Sequence, residues 1–174
     1  MIRITRHRLT TTLAVAWLAL AAVSPALAAA DATGDAAAFE ALKALAGEWR
    51  GTYGAGGGGM RFEVTSGGHT VVQTEFPGEA HEMRTLYWLE DGELVAQHFC
   101  MLGNQPRYEV ESADGGATLR YVFAGGSNLD PETDQHAHEG VLRIGLDDVL
   151  ESTWTFWKDG GPHETNTFRL ERTK

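Results

Sequence analysis

The part of the chain that follows Gly47 consists of short apolar runs, each closed by a cluster of glycine, aspartate or proline. Runs of about 5–9 residues rich in valine, threonine and aromatic residues are typical of β-strands joined by tight turns. Ten such runs begin near residues 48, 60, 70, 82, 93, 107, 118, 138, 149 and 164. Because no helical pattern separates them, parallel β-α-β units are excluded. We expect an antiparallel meander that closes into an up-and-down barrel, since closure removes exposed strand edges.

One short α-helix is predicted ahead of the first strand. Asp35 is a suitable N-cap residue, and Phe39, Leu42 and Leu45 fall on one face of the helix. Gly47 then provides a stop at its C-terminal end. The predicted fold class is therefore all-β, an antiparallel barrel of about ten strands preceded by a single helix.

The first 28 residues are predicted to be a secretory signal peptide. Arg3, Arg6 and Arg8 precede an apolar run over residues 13–23, and residues 26–28 (Ala-Leu-Ala) fit a signal-peptidase site. The apolar run is shorter than the ~20 residues that a membrane-spanning helix needs. We therefore expect export to the periplasm or secretion, with no stable membrane anchor after cleavage.

Cleavage would leave a flexible leader at residues 29–34 and a barrel domain at residues 35–174. The full chain has 174 residues, of which 43% are hydrophobic, and this is enough for one packed domain. Loss of three arginines would change the formal net charge from −10 to −13. Such acidity disfavours nucleic acid and anionic membranes as partners. Cys100 is the only cysteine, so no internal disulfide is possible, and we expect the thiol to be buried.

The dipeptide Asp91-Gly92 predicts the register of one hairpin, because this pair suits a two-residue type I′ turn. With that turn, Thr85 lies opposite His98, and alternation places His98 and Cys100 on the inner face of the barrel. The same alternation, extended backwards along the eighth strand from Leu142, would point His136 and His138 inward as well. This extension requires an unbroken strand.

The segment Gly47-Glu48-Trp49-Arg50-Gly51, directly after the helix, resembles the G-x-W signature of the calycin superfamily. That superfamily includes lipocalins, fatty-acid-binding proteins and nitrobindin-like haem barrels. The resemblance implies a lipocalin-like barrel with one closed end and one open mouth. It further implies that Gly47 and Trp49 form the closed end together with a basic residue of the last strand, which is Arg172 here.

Other segments are similar to a group of exported bacterial proteins of unknown function. They are Phe76-Pro77-Gly78, His98-Phe99-Cys100, Gly103-Asn104-Gln105-Pro106-Arg107 and Glu164-Thr165-Asn166-Thr167-Phe168. This resemblance covers most of the predicted mature chain. It implies no activity.

The leading functional hypothesis is an exported binding protein that holds a small, partly apolar ligand in the barrel lumen and requires no cofactor. Asn104 and Gln105 are candidates to bind a polar head group, and Arg107 to neutralise a carboxylate or phosphate. An ordinary turn explains this loop equally well. The predicted ligand-binding residues are Tyr87, His98, Cys100, Asn104, Gln105, Arg107, His138 and Trp154.

A metal- or haem-binding barrel, with or without enzymatic activity, is the alternative hypothesis. His98 and Cys100 share one strand face, and His136 and His138 share another, so the two pairs together would suit Zn²⁺ or Cu if they met. Otherwise the first pair is core and the second lies in a solvated loop. The sequence has no G-x-S-x-G, C-x-x-C or H-E-x-x-H motif, and we predict no catalytic residue. A third class is an envelope protein that acts through its outer surface.

Overall fold

The computed structural model describes residues 33–145 and 147–173. These residues form a closed barrel of ten antiparallel strands with one helix before it, and the predicted fold class is confirmed. The predicted signal peptide lies outside the described residues. The elements are α1 (Thr33–Ala44), β1 (Gly47–Tyr53), β2 (Gly56–Thr65), β3 (Thr70–Glu75), β4 (Met83–Glu90), β5 (Glu93–Phe99), β6 (Gln105–Ala113), β7 (Thr118–Ser127), β8 (His136–Ile144), β9 (Val149–Lys158) and β10 (Gly161–Arg172).

The strands follow one another around the barrel in sequence order, and β1 closes it by pairing with β10. The turn at Asp91-Gly92 has positive φ angles of 52° and 98°, as a type I′ turn requires. It places Thr85 opposite His98, which confirms the predicted register of this hairpin.

Helix α1 covers one end of the barrel and buries Ala38, Phe39, Leu42 and Leu45 there. The helix begins at Thr33, two residues before Asp35, so the expected N-cap role of Asp35 is wrong. Its carboxylate instead accepts a hydrogen bond from the Leu94 backbone N–H at 3.0 Å, which ties the helix to β5.

Trp49 and Arg172 meet at this closed end. The indole N–H of Trp49 donates to the Leu45 carbonyl at 2.9 Å, and the Arg172 guanidinium lies 4.3 Å from the centre of the indole ring. Arg172 also donates to the Ala44 and Ala46 carbonyls at the C-terminal end of α1. A cation at this position favourably opposes the negative end of the helix dipole. The closed barrel with this floor is compatible with a calycin-like fold.

The interior is packed from the floor to about the middle of the barrel. Above the floor lies a layer of aromatic rings in mutual contact, formed by Tyr87, Tyr108, Tyr121 and Trp154. Gly140 makes room for this layer, because a Cβ atom there would lie 2.7 Å from the Trp154 ring. The space that is left in the barrel therefore lies at the opposite end from α1.

Candidate functional site

A cavity opens at the end of the barrel opposite α1, and we call it the mouth cavity. Its volume is about 350 Å³, which lies within the range of small-molecule sites. Apolar side chains form most of its wall, and two glutamates and a histidine lie among them. The residues that line it are Tyr53, Gly56, Gly57, Phe76, Glu79, His81, Met83, Cys100, Met101, Leu102, Gln135, Phe156 and Glu164.

Phe76 shapes one side of the mouth cavity. Its φ angle is 52°, in the left-handed region that bulky side chains rarely adopt, and such strain is often found at functional sites. The ring makes an edge-on contact with Tyr53 at 5.1 Å and a tilted contact with Phe168 at 5.2 Å. The local backbone thus directs an aromatic ring towards the ring of Tyr53.

A second, smaller space lies beneath the mouth cavity, and we call it the inner cavity. The two share Tyr53, Met83 and Phe156 as lining residues. The inner cavity leaves about 10 Å³ for the centre of a water-sized molecule, which is room for about one water. Glu75, His98 and Trp154 contribute its polar groups, and Ala137 and Phe168 complete its wall.

Glu75 is the buried acid of the inner cavity, and only 4% of its surface is exposed. Burial raises the pKa of its carboxyl to about 7, against the effect of a hydrogen bond from Gln73, which lowers it. Gln73 Nε2 donates to Glu75 Oε1 at 2.9 Å. The carboxyl group therefore changes charge near neutral pH.

The orientation of Gln73 is set from the next strand. The Tyr87 hydroxyl donates to Gln73 Oε1 and lies 2.9 Å from the Tyr121 hydroxyl. Because the carbonyl oxygen of the amide is occupied in this way, its NH₂ group is directed to Glu75. Burial raises the pKa of Tyr87 well above its ordinary value, so the hydroxyl keeps the proton that it donates. The Tyr87 side chain therefore lies one layer below the inner cavity, where it orients Gln73.

His98 is a neutral group at physiological pH, since burial lowers its pKa to about 4. Its Nδ1 lies 2.9 Å from the hydroxyl of Thr85, the residue opposite it in β4. The ring is stacked 6.3 Å from that of Trp154. Trp154 is 6% exposed, and its indole N–H has no hydrogen-bond partner among the described residues. Both side chains face the inner cavity, as the alternation along β5 predicted for His98.

Cys100 lies in the wall of the mouth cavity, where its Sγ is 4.0 Å from the Sδ of Met83. Burial raises the pKa of the thiol, so little of it is present as the nucleophilic thiolate at neutral pH. The expectation of a buried cysteine is confirmed.

The predicted ligand loop is not assembled around the cavity. Arg107 lies in β6 opposite Gln97 with its side chain on the outer wall, where it pairs with Glu90 and covers the ring of Trp88. The expected contact of Arg107 with a ligand carboxylate is therefore wrong. The reason is the strand register, because Gln97 is itself an outward residue.

The two amides of this loop have local partners. Gln105 donates to the Gly103 carbonyl and accepts a hydrogen bond from Asn128 on the surface. Asn104 is buried and donates to the Gln135 carbonyl at 2.9 Å, so it joins two loops of the mouth. Both amides therefore stabilise the loops at the rim of the barrel.

His136 and His138 do not face the lumen, and the expected inward direction is wrong. A bulge between Ala137 and Glu139 shifts the register of β8, so Ala137 takes the inward position opposite Phe156. The ring of His138 stacks on Trp157 at 3.8 Å. His136 Nε2 and His138 Nδ1 lie at hydrogen-bond distance, 2.9 Å apart. The His136 ring is fully buried, against Phe123 of β7 and opposite Trp157 of β9.

The proposed metal set is consequently not assembled. In the part of the chain that the structure describes, no three residues of the His, Cys, Asp and Glu types come close enough to hold a metal ion. The pair of His98 and Cys100 faces the cavities, whereas the pair of His136 and His138 packs on the other side of the bulged strand. The four proposed ligands therefore do not meet at one place in the structure.

Sequence reasoning missed several residues of the site, above all Glu75 and its partner Gln73. A signal for them was present in β3, where Val71, Gln73 and Glu75 alternate on one face and all three are buried. Two polar residues at inward positions of a strand are unusual and mark a buried polar site. The aromatic wall formed by Tyr53 and Phe156 was also missed.

Comparison with known protein families and with curated proteins finds no match for this chain. The barrel is compatible with a calycin-like fold, and no match supports the expected resemblance to a group of exported bacterial proteins. None of the helices among residues 33–145 and 147–173 is long and apolar enough to cross a membrane.

Proposed function

We propose that this protein binds a small, partly apolar molecule in the mouth cavity. The observation that carries the proposal is the asymmetric filling of the barrel. Side chains pack the lumen at the end that α1 covers, whereas the other end leaves about 350 Å³ open beside aromatic and methionine side chains. Apolar concave sites with a few convergent polar groups are the usual form of ligand pockets.

The chemistry of the cavity supports binding rather than catalysis. The His98 ring stays neutral and is held by Thr85, and the pKa of the Cys100 thiol is raised rather than lowered. Nucleophilic catalysis needs the opposite shift at the thiol and a base within hydrogen-bond reach of it. Both groups serve better as ligand contacts.

We further propose that the protein acts after export. The support is the arrangement of residues 1–28, with a basic start, a short apolar run and a small-residue cleavage site. N-terminal sequencing of the protein from a cell-envelope fraction should give Ala29 as the first residue. An intact first methionine in that fraction, or recovery only from the cytoplasm, would contradict export.

Blocking the cavity tests the binding function. Gly56 lies at the rim on the same strand face as Gly58, whose Cβ would point at Tyr53 and Phe168, and a Cβ at Gly56 would make only a 3.7 Å contact. Gly56→Leu should therefore fill the mouth without distorting the backbone. Gly161→Leu is the matched control, because a Cβ there meets nothing within 4 Å and the residue lies outside the cavity.

Binding of the fluorescent apolar probe N-phenyl-1-naphthylamine provides the measurement, together with native mass spectrometry of the purified protein. Gly56→Leu should weaken probe binding by at least about tenfold, which corresponds to about 1.4 kcal/mol. The control variant should bind like the wild type. Equal binding by both variants, or a wild-type protein that binds no probe and carries no adduct, would refute the proposal.

A further inference from the structure

We infer that the ligand is an organic cation, namely a primary amine with an apolar body, whose ammonium group binds Glu75 in the inner cavity. This inference rests on the proposed function and names the chemical class of its ligand. The apolar body would occupy the mouth cavity above. Three independent features of the two cavities lead to this class.

The first feature is the sign of the charges. Glu75 lies at the bottom of the site, and Glu79 and Glu164 line the mouth above it. Among the described residues, neither cavity is lined by a lysine or an arginine. His81 in the mouth wall lies 3.5 Å from the Glu79 carboxylate, so its ring already has an acidic partner. An anionic ligand such as a fatty acid would thus meet three glutamates, whereas a cation would be attracted by them from the mouth down to Glu75.

The second feature is the unoccupied half of the Glu75 carboxyl group. Gln73 donates to Oε1, and no hydrogen bond reaches Oε2 from the described residues. The inner cavity beside it has room for about one water, and an ammonium group has a similar size. A trimethylammonium group is too large for that space. The geometry therefore favours a primary amine over a quaternary one.

The third feature is the aromatic wall through which the head group would pass. Tyr53 lines both cavities, and its ring lies 4.4 Å from that of Phe168 in the wall of the inner cavity. Phe76, in the wall of the mouth cavity, contacts both rings. Aromatic faces attract cations by about 0.5–2 kcal/mol, and more strongly where water is excluded. Such a wall favours an ammonium group without holding an anion.

Within residues 33–145 and 147–173, no protein cation pairs with Glu75. The titratable side chains whose pKa Glu75 affects, or that share its cavity, are Tyr53, Tyr87, His98, Cys100, Tyr108 and Tyr121. Burial keeps the tyrosines and the cysteine protonated and His98 neutral, so all six are uncharged at neutral pH. Because burial raises the pKa of Glu75 to about 7, the carboxyl group is only partly ionised at pH 7, and a bound ammonium group would favour its ionised form.

Isothermal titration of the full-length protein with three hexyl compounds tests the inference. Hexylammonium, hexanol and hexanoate share one apolar body and differ only in the charge of the head group. At pH 8 we expect hexylammonium to bind at least about tenfold more tightly than hexanol, and hexanoate to bind most weakly. Hexyltrimethylammonium should also bind more weakly than the primary amine.

Glu75→Gln is the decisive variant, since it removes the charge and keeps the shape. It should abolish the preference for hexylammonium over hexanol, because the ammonium group loses its carboxylate partner. Glu171→Gln, at an exposed position of the last strand, should keep the preference. Circular dichroism in the same buffer verifies that each variant is folded. Glu79→Gln combined with Glu164→Gln, both at the exposed rim, should lower amine affinity about two- to threefold and provides a second test that does not touch the core.

The outcomes separate the two proposals. Hexanol or hexanoate binding as tightly as the amine would overturn the inference and leave the proposed function standing. A trimethylammonium compound that binds as well as hexylammonium would overturn the placement of the head group beside Glu75. If the apolar fluorescent probe and all the hexyl compounds fail to bind, the proposed function fails with the inference.

Discussion

Replacing Glu75 by glutamine should change how the stability of the barrel depends on pH. In the folded protein burial raises the pKa of Glu75 to about 7, from 4.5 in the unfolded chain. Between these pH values the folded protein keeps a proton that the unfolded chain has released, so the free energy of unfolding falls as the pH rises. The free energy of unfolding that is lost in this way amounts to about 3 kcal/mol once the pH reaches 7 or more.

His98 has the opposite effect over nearly the same interval. Burial lowers its pKa from 6.5 to about 4, so in this range the unfolded chain binds a proton that the folded protein does not. Its contribution to stability is therefore present above pH 6.5 and is lost as the pH falls towards 4. Between about pH 4.5 and 6.5 the contributions of these two groups to the pH dependence of stability oppose each other and nearly cancel.

Removing one of the two groups exposes the other. In Glu75→Gln the contribution of His98 is no longer opposed, and the stability relative to wild type should rise with pH by about 1.4 kcal/mol per pH unit between pH 4.5 and 6.5. Any constant cost of the new amide shifts the whole curve without changing its slope. Relative to wild type, the variant should thus gain about 3 kcal/mol between pH 4.5 and pH 7.5.

Urea denaturation followed by tryptophan fluorescence, repeated at half-unit pH intervals, measures this slope. Glu171→Gln is the control for loss of an exposed carboxylate, and its curve should stay parallel to that of the wild type. Parallel curves for Glu75→Gln and wild type would refute the reasoning. They would show that the Glu75 carboxyl group titrates alike in the folded and unfolded chain.

Three further predictions follow from the floor, the mouth and the outer wall. In chemical denaturation, Trp49→Ala should lower the free energy of unfolding by about 3–5 kcal/mol, because it removes a buried ring and leaves a cavity. Arg172→Ala should lower it by about 1–2 kcal/mol. Negligible changes for both variants would contradict the described floor. In the native protein Cys100 should react slowly with a bulky maleimide, and more slowly still when ligand is present, whereas in denaturant it should react rapidly. Native labelling as fast as labelling in denaturant would place Cys100 outside the mouth. Arg107→Ala should leave ligand affinity within about twofold of wild type in the same titrations, and a loss of tenfold or more would mean that its side chain reaches the site.

The architecture could be predicted from local pattern. Short alternating runs with turn residues between them specify antiparallel strands, and the Asp91-Gly92 turn specifies one register, because both depend on neighbours within a few residues. The resemblance of residues 47–51 to the G-x-W signature likewise implied that Trp49 lies at the closed end, where the structure has it. These features are local in the chain, so a single sequence contains enough information to find them.

The site depended on contacts between distant strands. A single bulge in β8 reversed the inward direction expected for His136 and His138, since one extra residue exchanges the two faces of a strand. The outward pairing of Arg107 with Glu90 depended on the register between β5 and β6, which no two-residue turn specifies.

Glu75 shows the same division between local pattern and tertiary structure. Alternation alone places it on the inner face of β3 together with Gln73. Its raised pKa, however, arises from desolvation, which depends on all the groups around the carboxyl group. These groups come from four other strands and include Tyr53 from β1, Met83 from β4, His98 from β5 and Phe168 from β10. Closure of the barrel brings these strands to one place, and only then does an ordinary glutamate acquire a pKa near neutrality.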